Sequence, residues 1–571
     1  MLSMEESNDE DQEGFMAGRS TTRYIFRLLA NLEEVKRKKL ACLILFLDFE
    51  KAFDSVHLPT LVVKLSKFGL KGKLIKLIHD FLFNRKICLR VNGFKGIPRR
   101  CTIFGLPQGA VLSPLFFILY VADMTEKIPE TAKRSLCCYK FADDGTLMVS
   151  AANMQDCYNL MQSICDSLSQ WCIKNKLVIN CERNKTEVMI LQTSARNSPH
   201  QQLITPPNLV INGKDIEYVK QTKVLGVTID HALNFKAHAL DKLNACNRKW
   251  ALITKTTNRN HGLNARSLLL LLKTTVLTKM FYAAPLWLKR NLEIYKSFWN
   301  KALMKISGAM LFPQRELTEI ALHLPPLDIQ LEVLTAKFMC KVLSSNDHLS
   351  SVIHQIDGTS KSGLHEQILS LKRFLMWKEN KSRGLQRLDI TLPEYVDVAN
   401  YTKKEIQAYQ QKIWLEGVEN RIKHKQISHG KEEKIQKIID QIRSKELQLG
   451  KDNFLFRFNT NKRIDSFVMD FVHGSSFIFG NIRGMHDDNR LCYFCNRIND
   501  SPEHQLVECE EIQDQTYQQL MSAWSSRQLE QLLVDIIAPE SSASQVQKMF
   551  VERVAFLMEQ HDSIDEIAPL N

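Results

Sequence analysis

The sequence predicts an α+β fold in which a small sheet is covered on one side by helices, followed by a longer, mostly helical region. Three observations carry this. The run Ala41 to Leu47 is continuously apolar, as a strand buried on both faces reads. Two apolar arms, Tyr139 to Ala142 and Thr146 to Val149, flank Asp143-Asp144-Gly145, and Asp-Gly is a strong hairpin signal. Elsewhere apolar residues recur at helical spacing, as in Leu160, Ile164, Leu168 and Trp171.

The totals bound the answer. At 571 residues the chain exceeds one core, and about two to four domains are expected. An apolar fraction of 44% and a charged fraction of 24% exclude disorder over the whole chain. The net charge of +13 favours a polyanionic partner, nucleic acid before an anionic membrane. Most of the 14 cysteines stand singly in apolar runs, as Cys42, Cys88, Cys157 and Cys165 do, which suits a reducing compartment and not a disulfide framework. No apolar run approaches membrane-span length, and the N-terminus has no signal-peptide pattern. The expectation is an intracellular protein of the nucleus or cytoplasm, with no membrane partner.

Residues 1–13 are acidic and polar and are expected to be a disordered tail. Gly18 to Thr22 offers a turn and a cap for a helix that buries Ile25, Leu28, Leu29 and Leu32. The buried strand ends at Asp48, a rigid place from which to present a carboxylate. Residues 58–83 read as two amphipathic helices broken at Gly69. Ile87 to Val91 and Arg99 to Ile103 read as strands paired around Asn92-Gly93. Glycines and a proline in Gly105-Leu106-Pro107-Gln108-Gly109 bend the backbone and leave amides open to a close ligand, and Ser113-Pro114 starts a helix with Ser113 as its cap. After the hairpin and its helix, Leu177 to Asn180 and Thr186 to Leu191 are candidate strands. Leu209 to Thr228 holds short strands around Asn212-Gly213, and a helical pattern with scattered lysines and arginines runs from Asn234 to Lys289. Residues 290–480 read as mostly helical, with a charged amphipathic helix at Lys431 to Leu447.

Asp143 and Asp144 taken alone would be a solvated turn. Asp48 changes that, because a small sheet can set the three carboxylates side by side. Phosphoryl transfer uses such a cluster, with hard Mg²⁺ ions held by few carboxylates and completed by phosphate and water. The order FLDFEKAFD, GLPQGAVLSP, FADDG resembles the palm of reverse transcriptases, in the wording of non-LTR (LINE-like, jockey-like) retrotransposons. The resemblance covers residues 14–190 well. It extends loosely to about residue 330 through Leu225-Gly226-Val227 and Leu324-Pro325-Pro326-Leu327.

The resemblance implies a right-hand polymerase palm with partial fingers and a helical thumb. It implies that Asp48, Asp143 and Asp144 are the catalytic carboxylates that bind two Mg²⁺ ions. Phe53 falls at the position of an aromatic gate against the ribose 2′-hydroxyl. Gln108 and Gly109 would lie along the incoming deoxynucleoside triphosphate and template base, and Lys185 near the leaving phosphates. Arg19 matches a G-R-S-T segment of the fingers. The family carries further fingers sequence ahead of this region, and the expectation is an N-terminally truncated element.

Cys492, Cys495, His504 and Cys509 have the spacing of a tetrahedral Zn²⁺ site. Four ligands leave no open position, so a structural role is expected. The wording is also similar to the zinc-knuckle-like segment near the end of such elements, and Arg483, Arg490 and Arg497 are candidate phosphate contacts. The resulting division is 1–13 tail, 14–191 partial fingers and palm, 209–330 thumb-like region, 331–480 helical region, 481–515 zinc segment and 516–571 C-terminal helices.

The function expected from this is RNA-directed DNA polymerase, acting on an RNA template and a DNA primer or target. The alternatives are a catalytically inactive relic that only binds nucleic acid, and an RNA-dependent RNA polymerase, against which Phe53 and the motif wording argue.

Overall fold

A computed structural model describes residues 11–191, 207–258, 261–308, 315–344, 364–383 and 401–423, with single positions between 435 and 554. The chain divides into two compact units. One comprises Met1–His238, Met339–Leu369 and Thr391–Ala399. The other comprises Ala239–Phe338, Ser370–Ile390 and Asn400–Asn571. The helix expected at Lys431 to Leu447 lies almost wholly outside the described residues, and the zinc candidates lie entirely outside them.

The first unit is built on strand β1 (Ala41–Leu47), every residue of which is buried. Helices α1 (Thr21–Lys38), α2 (Leu58–Lys67) and α3 (Gly72–Phe83) surround it in sequence, with Gly69 at φ +87° breaking the pair α2 and α3 as expected. Strands β2 (Lys86–Ile87), β3 (Arg90–Val91), β4 (Phe94–Lys95) and β5 (Arg99–Arg100) form two small ribbons, β2 with β5 and β3 with β4. Asn92-Gly93 is the turn, but it joins β3 to β4, and Arg99 pairs one step further out, with Ile87.

Helix α4 (Ser113–Val121) carries proline in its first turn, but Ser113 is not its cap. The Ser113 hydroxyl donates to Pro107 O at 2.7 Å, which ties the helix to the glycine loop and takes the hydroxyl away from the helix end. Next come α5 (Glu130–Lys133), β6 (Leu136–Phe141), β7 (Asp144–Ala151), α6 (Met154–Asn175) and β8 (Glu187–Ile190). Asn153 caps α6 by accepting from the Asp156 N–H at 2.9 Å, as Ser20 caps α1 from Arg23 N–H at 3.2 Å.

The unit closes with β9 (Val210–Ile211), β10 (Lys214–Asp215), β11 (Glu217–Tyr218), β12 (Gln221–Val224) and β13 (Val227–Asp230). The main sheet has the order β11-β8-β1-β7-β6. All its pairs are antiparallel except β11 on β8. Because β11 joins the main sheet, the unit's first segment runs to His238, past the division expected after residue 191.

Helices cover both faces of the sheet, not one. On one face Leu43, Leu45, Leu47, Leu147 and Val149 share a core with Met161, Ile164, Leu168 and Trp171 of α6. On the other, the Tyr24 hydroxyl of α1 donates to Thr146 Oγ1 at 2.7 Å, and Asn31 Nδ2 donates to the Tyr139 hydroxyl at 2.5 Å. The unbroken apolar run of β1 requires two covers, since a strand with one wet face would alternate. Each fully buried leucine contributes about 1.5–3 kcal/mol through burial.

Two further expectations are corrected. Leu177 to Asn180 is no strand, but a single bridge (Phe49 to Ile179) and the Glu50 N–H to Val178 O bond of 2.9 Å lay it beside the chain after β1. Asp11 to Glu13 is no tail. Gln12 and Glu13 are buried, because Glu13 N donates to Lys140 O and Lys140 N donates to Asp11 O, both at 2.8 Å. Arg27 and Arg23 offset the charge of this acidic segment, with Arg27 3.1 Å from Asp11 and Arg23 3.8 Å from Glu13.

The described residues of the second unit are helical, as expected. Leu268 and Leu272 are buried. Helices Lys296–Ser307 and Arg315–Ala321 enclose Glu319, whose side chain is fully buried. Its Oε1 accepts from Trp299 Nε1 at 2.7 Å and Arg315 Nε at 2.8 Å, while Oε2 has no hydrogen-bond partner. Burial outweighs Arg315 and pushes the carboxyl up to about 7. A folded pKa above the unfolded one means that the native state holds the extra proton. Stability from this group is therefore present below the unfolded value of 4.5 and lost as pH rises through about 7. The unit is expected to melt at a higher temperature at pH 6 than at pH 8, and Glu319→Gln should remove that difference. A scanning melt of both proteins at the two pH values checks it.

Candidate active site

The hairpin of β6 and β7 pairs Phe141 with Asp144, so its two-residue turn is Ala142-Asp143. The expected Asp-Gly turn is displaced by two residues. Gly145 sits in the ladder opposite Lys140 and Leu47, where an added Cβ would lie 3.4 Å from the Leu47 Cβ. Ala142 has φ +56° while Asp143 does not share the positive sign, the pattern of a II′-type hairpin turn. Asp143 therefore rides on the exposed turn and Asp144 begins β7.

Asp48 immediately follows β1. Leu47 pairs with Gly145, so the antiparallel register carried one step further sets Asp48 opposite Asp144. The Asp48 backbone is held on both sides. Its N–H donates to Thr186 Oγ1 at 3.3 Å, and its C=O accepts from Asn180 N at 2.8 Å. Its carboxylate lies 3.5 Å from Lys185 Nζ. These bonds explain why the irregular stretch between α6 and β8 belongs to the site.

Burial raises the Asp144 carboxyl to about 6, with repulsion from Asp143 and then Asp48 adding to it and Lys185 opposing. More than a third of this residue is exposed, so solvent screens part of the effect. Asp48, Asp144 and Lys185 line a cavity of about 400 Å³. Its other wall is the ribbon of β12 and β13, from Gln221 to Thr228. Leu225 (φ +45°) and Gly226 (φ +82°) turn that ribbon in a I′-type arrangement. The sequence reading assigned Leu225 to the thumb and passed over Gln221, Thr222, Lys223 and Thr228. The signal was a glycine between two short β-branched runs.

The other expected site residues stand elsewhere. Phe53 is half-buried and stacks on Phe117, with ring centroids 4.8 Å apart and 19° between planes. Gln108 Nε2 donates to Asp54 Oδ1 at 3.0 Å, and Gly109, at φ +88°, is exposed. Gly105, at φ +91°, approaches Asp54 so closely that a Cβ would lie 3.3 Å from its carbonyl oxygen. Leu106 N donates to Phe53 O at 2.9 Å. The glycine loop is thus tied to the segment after Asp48 and does not line the cavity. Arg19 donates through Nη1 to the Gln12 carbonyl, a structural use of that guanidinium.

The fit to a cation rests on this donor set. Asp48 and Asp144 offer hard oxygens, Asp143 is adjacent, and the carboxyl raised by its neighbours' charge is one a divalent cation would relieve. Among the described residues no three acidic, histidine or cysteine side chains already form a closed ligand set. Asp48 is instead neutralised by Lys185.

Residues 1–229 match the family model described as reverse transcriptase (RNA-dependent DNA polymerase). Over this segment the chain is similar to reverse transcriptases. The RNA-directed DNA polymerase from mobile element jockey of Drosophila funebris is 26% identical over 338 residues, covering 57% of this chain and 35% of the relative. The probable RNA-directed DNA polymerase from transposon BS of Drosophila melanogaster is 24% identical, covering 58% and 36%. The chain thus spans about a third of the length of the curated relatives it matches. Apo telomerase from Candida Tropicalis aligns over 64% of this chain and 59% of its own, with 11% identity and a TM-score of 0.32, too low to carry an argument.

The titration of Asp144 gives the candidate site a pH signature. A protonated carboxyl cannot serve as a ligand, so Mn²⁺ affinity should fall as pH drops through about 6, by up to about tenfold per unit below it. Electron paramagnetic resonance titration with Mn²⁺ between pH 5 and 8 checks this, and Asp144→Asn should flatten the profile.

Proposed function

We propose that the chain is the RNA-directed DNA polymerase portion of a non-LTR retrotransposon, adding deoxynucleotides to a primer 3′-hydroxyl against an RNA template. The observation that carries this is the register that sets Asp48 opposite Asp144 in the lining of one cavity, with Asp143 on the adjoining turn. The reverse transcriptase match over residues 1–229 and the relatives from jockey, BS and X-element support it.

Asp48, Asp143 and Asp144 would hold two Mg²⁺ ions. When bound, such ions activate the attacking hydroxyl and neutralise charge on the leaving pyrophosphate. The chain's own residues do the rest. Lys185 stands beside Asp48 and supplies a cation for the triphosphate. The ribbon of β12 and β13 forms the opposite wall, a surface along which the primer end can lie. Gln108 and Gly109, exposed at the end of the glycine loop, are the proposed contacts to the nucleotide and template base, and Phe53 is the proposed discriminator against a 2′-hydroxyl. The net charge of +13 favours the nucleic acid partners, in the nucleus or cytoplasm.

Primer extension on an RNA template with deoxynucleotides tests the proposal. The unmodified chain should extend the primer in Mg²⁺, and Asp143→Ala with Asp144→Ala should reduce extension to background. Retained RNA binding with no extension by the unmodified chain would overturn it.

We also propose a structural Zn²⁺ at Cys492, Cys495, His504 and Cys509, supported by their spacing. Elemental analysis of the purified chain should find one bound zinc per molecule, and Cys495→Ser should lose it.

A further inference from the structure

The turn that carries Asp143 holds an alanine at φ +56°, a conformation that favours glycine. Something outside the hairpin must hold it, and Gln12 is the group that touches it. Its side chain is buried, and Oε1 accepts from two backbone donors, Ala142 N at 3.0 Å and Gly14 N at 2.8 Å. Two N–H groups converge there, so the atom facing them must be the carbonyl oxygen of the amide.

Gly14 completes the contact. Its own φ is not in the left-handed region, so glycine is not needed there for backbone freedom. It is needed for space, because a Cβ on residue 14 would lie 2.6 Å from Ala142 N and 3.1 Å from Gln12 Oε1. The segment is fixed in turn by its bridge to Lys140, by Arg19 on the Gln12 carbonyl and by Arg27 on Asp11.

We propose that Gln12 and Gly14 are positioning residues of the active site. They clamp the turn Ala142-Asp143 in its left-handed form and so set where Asp143 and Asp144 present their carboxylates. The claim about catalysis rests on the polymerase reading, whereas the clamp itself does not.

Hydrogen exchange on the full chain tests the clamp without turnover. In the unmodified protein the Ala142 amide should be protected although it lies in a turn, and rapid exchange there would overturn the clamp. Gln12→Met keeps the volume and removes the acceptor. It should raise exchange at Ala142 by about tenfold or more while residues 41–47 stay protected. It should also weaken Mn²⁺ binding and lower kcat by about tenfold or more, with KM for the deoxynucleotide changed little.

One further change should recover most of the loss: Ala142→Gly, added to Gln12→Met, lets the turn adopt positive φ unaided. Unchanged exchange in Gln12→Met overturns the clamp. Raised exchange with unchanged Mn²⁺ affinity overturns its positioning role. Absence of extension by the unmodified chain counts against the polymerase reading alone, since exchange and Mn²⁺ binding still decide the clamp.

Discussion

Burial of β1 on both faces is the constraint from which the first unit follows. A strand with no wet side fits only at the middle of a sheet, and here it lies between β7 and β8 with α6 on one face and α1 on the other. Its register is then over-determined. A slip of one residue would exchange Leu43, Leu45 and Leu47 with Cys42, Ile44 and Phe46 between two differently shaped cores. Asp48 gains its place from that rigidity. It stands where the buried run ends, opposite the first residue of β7, and its backbone is bonded to Asn180 and Thr186.

Each unit holds a carboxyl that burial raises, in different surroundings. In the first, Asp144 is raised by burial and further by the charges of Asp143 and Asp48, beside solvent and Lys185. In the second, Glu319 is sealed from water and raised chiefly by burial, with Arg315 and Trp299 as its partners. Both carboxyls are shifted upward, yet the first lines a cavity and the second is closed off by its neighbours. An upward shift alone does not mark a functional group.

Much of the first unit was legible in the sequence because its signals were local. The run Ala41 to Leu47, the periodicity of α6 and the dipeptides Asn92-Gly93 and Asn212-Gly213 each became the element they suggested. That Asp48 lies beside Asp143 and Asp144 was legible through motif wording and order. What could not be read depends on contacts far apart in sequence. Asp144-Gly145 is a strong local turn signal, but the sheet register moved the turn to Ala142-Asp143. Gln12 and Glu13 looked like part of a solvated acidic tail, and their burial depends on Lys140 and on arginines of α1. The ribbon from Gln221 to Asp230 reaches the cavity only because β11 joins the sheet beside β8.

The bridge at Lys140 also bears on self-association. β6 is one outer strand of the sheet, and it carries the apolar sequence Leu136-Cys137-Cys138-Tyr139. The opposite border is only two residues long, the length of β11. Short or covered borders keep sheets from templating onto copies of themselves. Asp11 to Glu13 cap the long border with an acidic segment matched to α1 arginines. The residues that hold the carboxylate turn thus also shield the strand most able to recruit a neighbour, so solubility and active-site geometry depend on the same few hydrogen bonds.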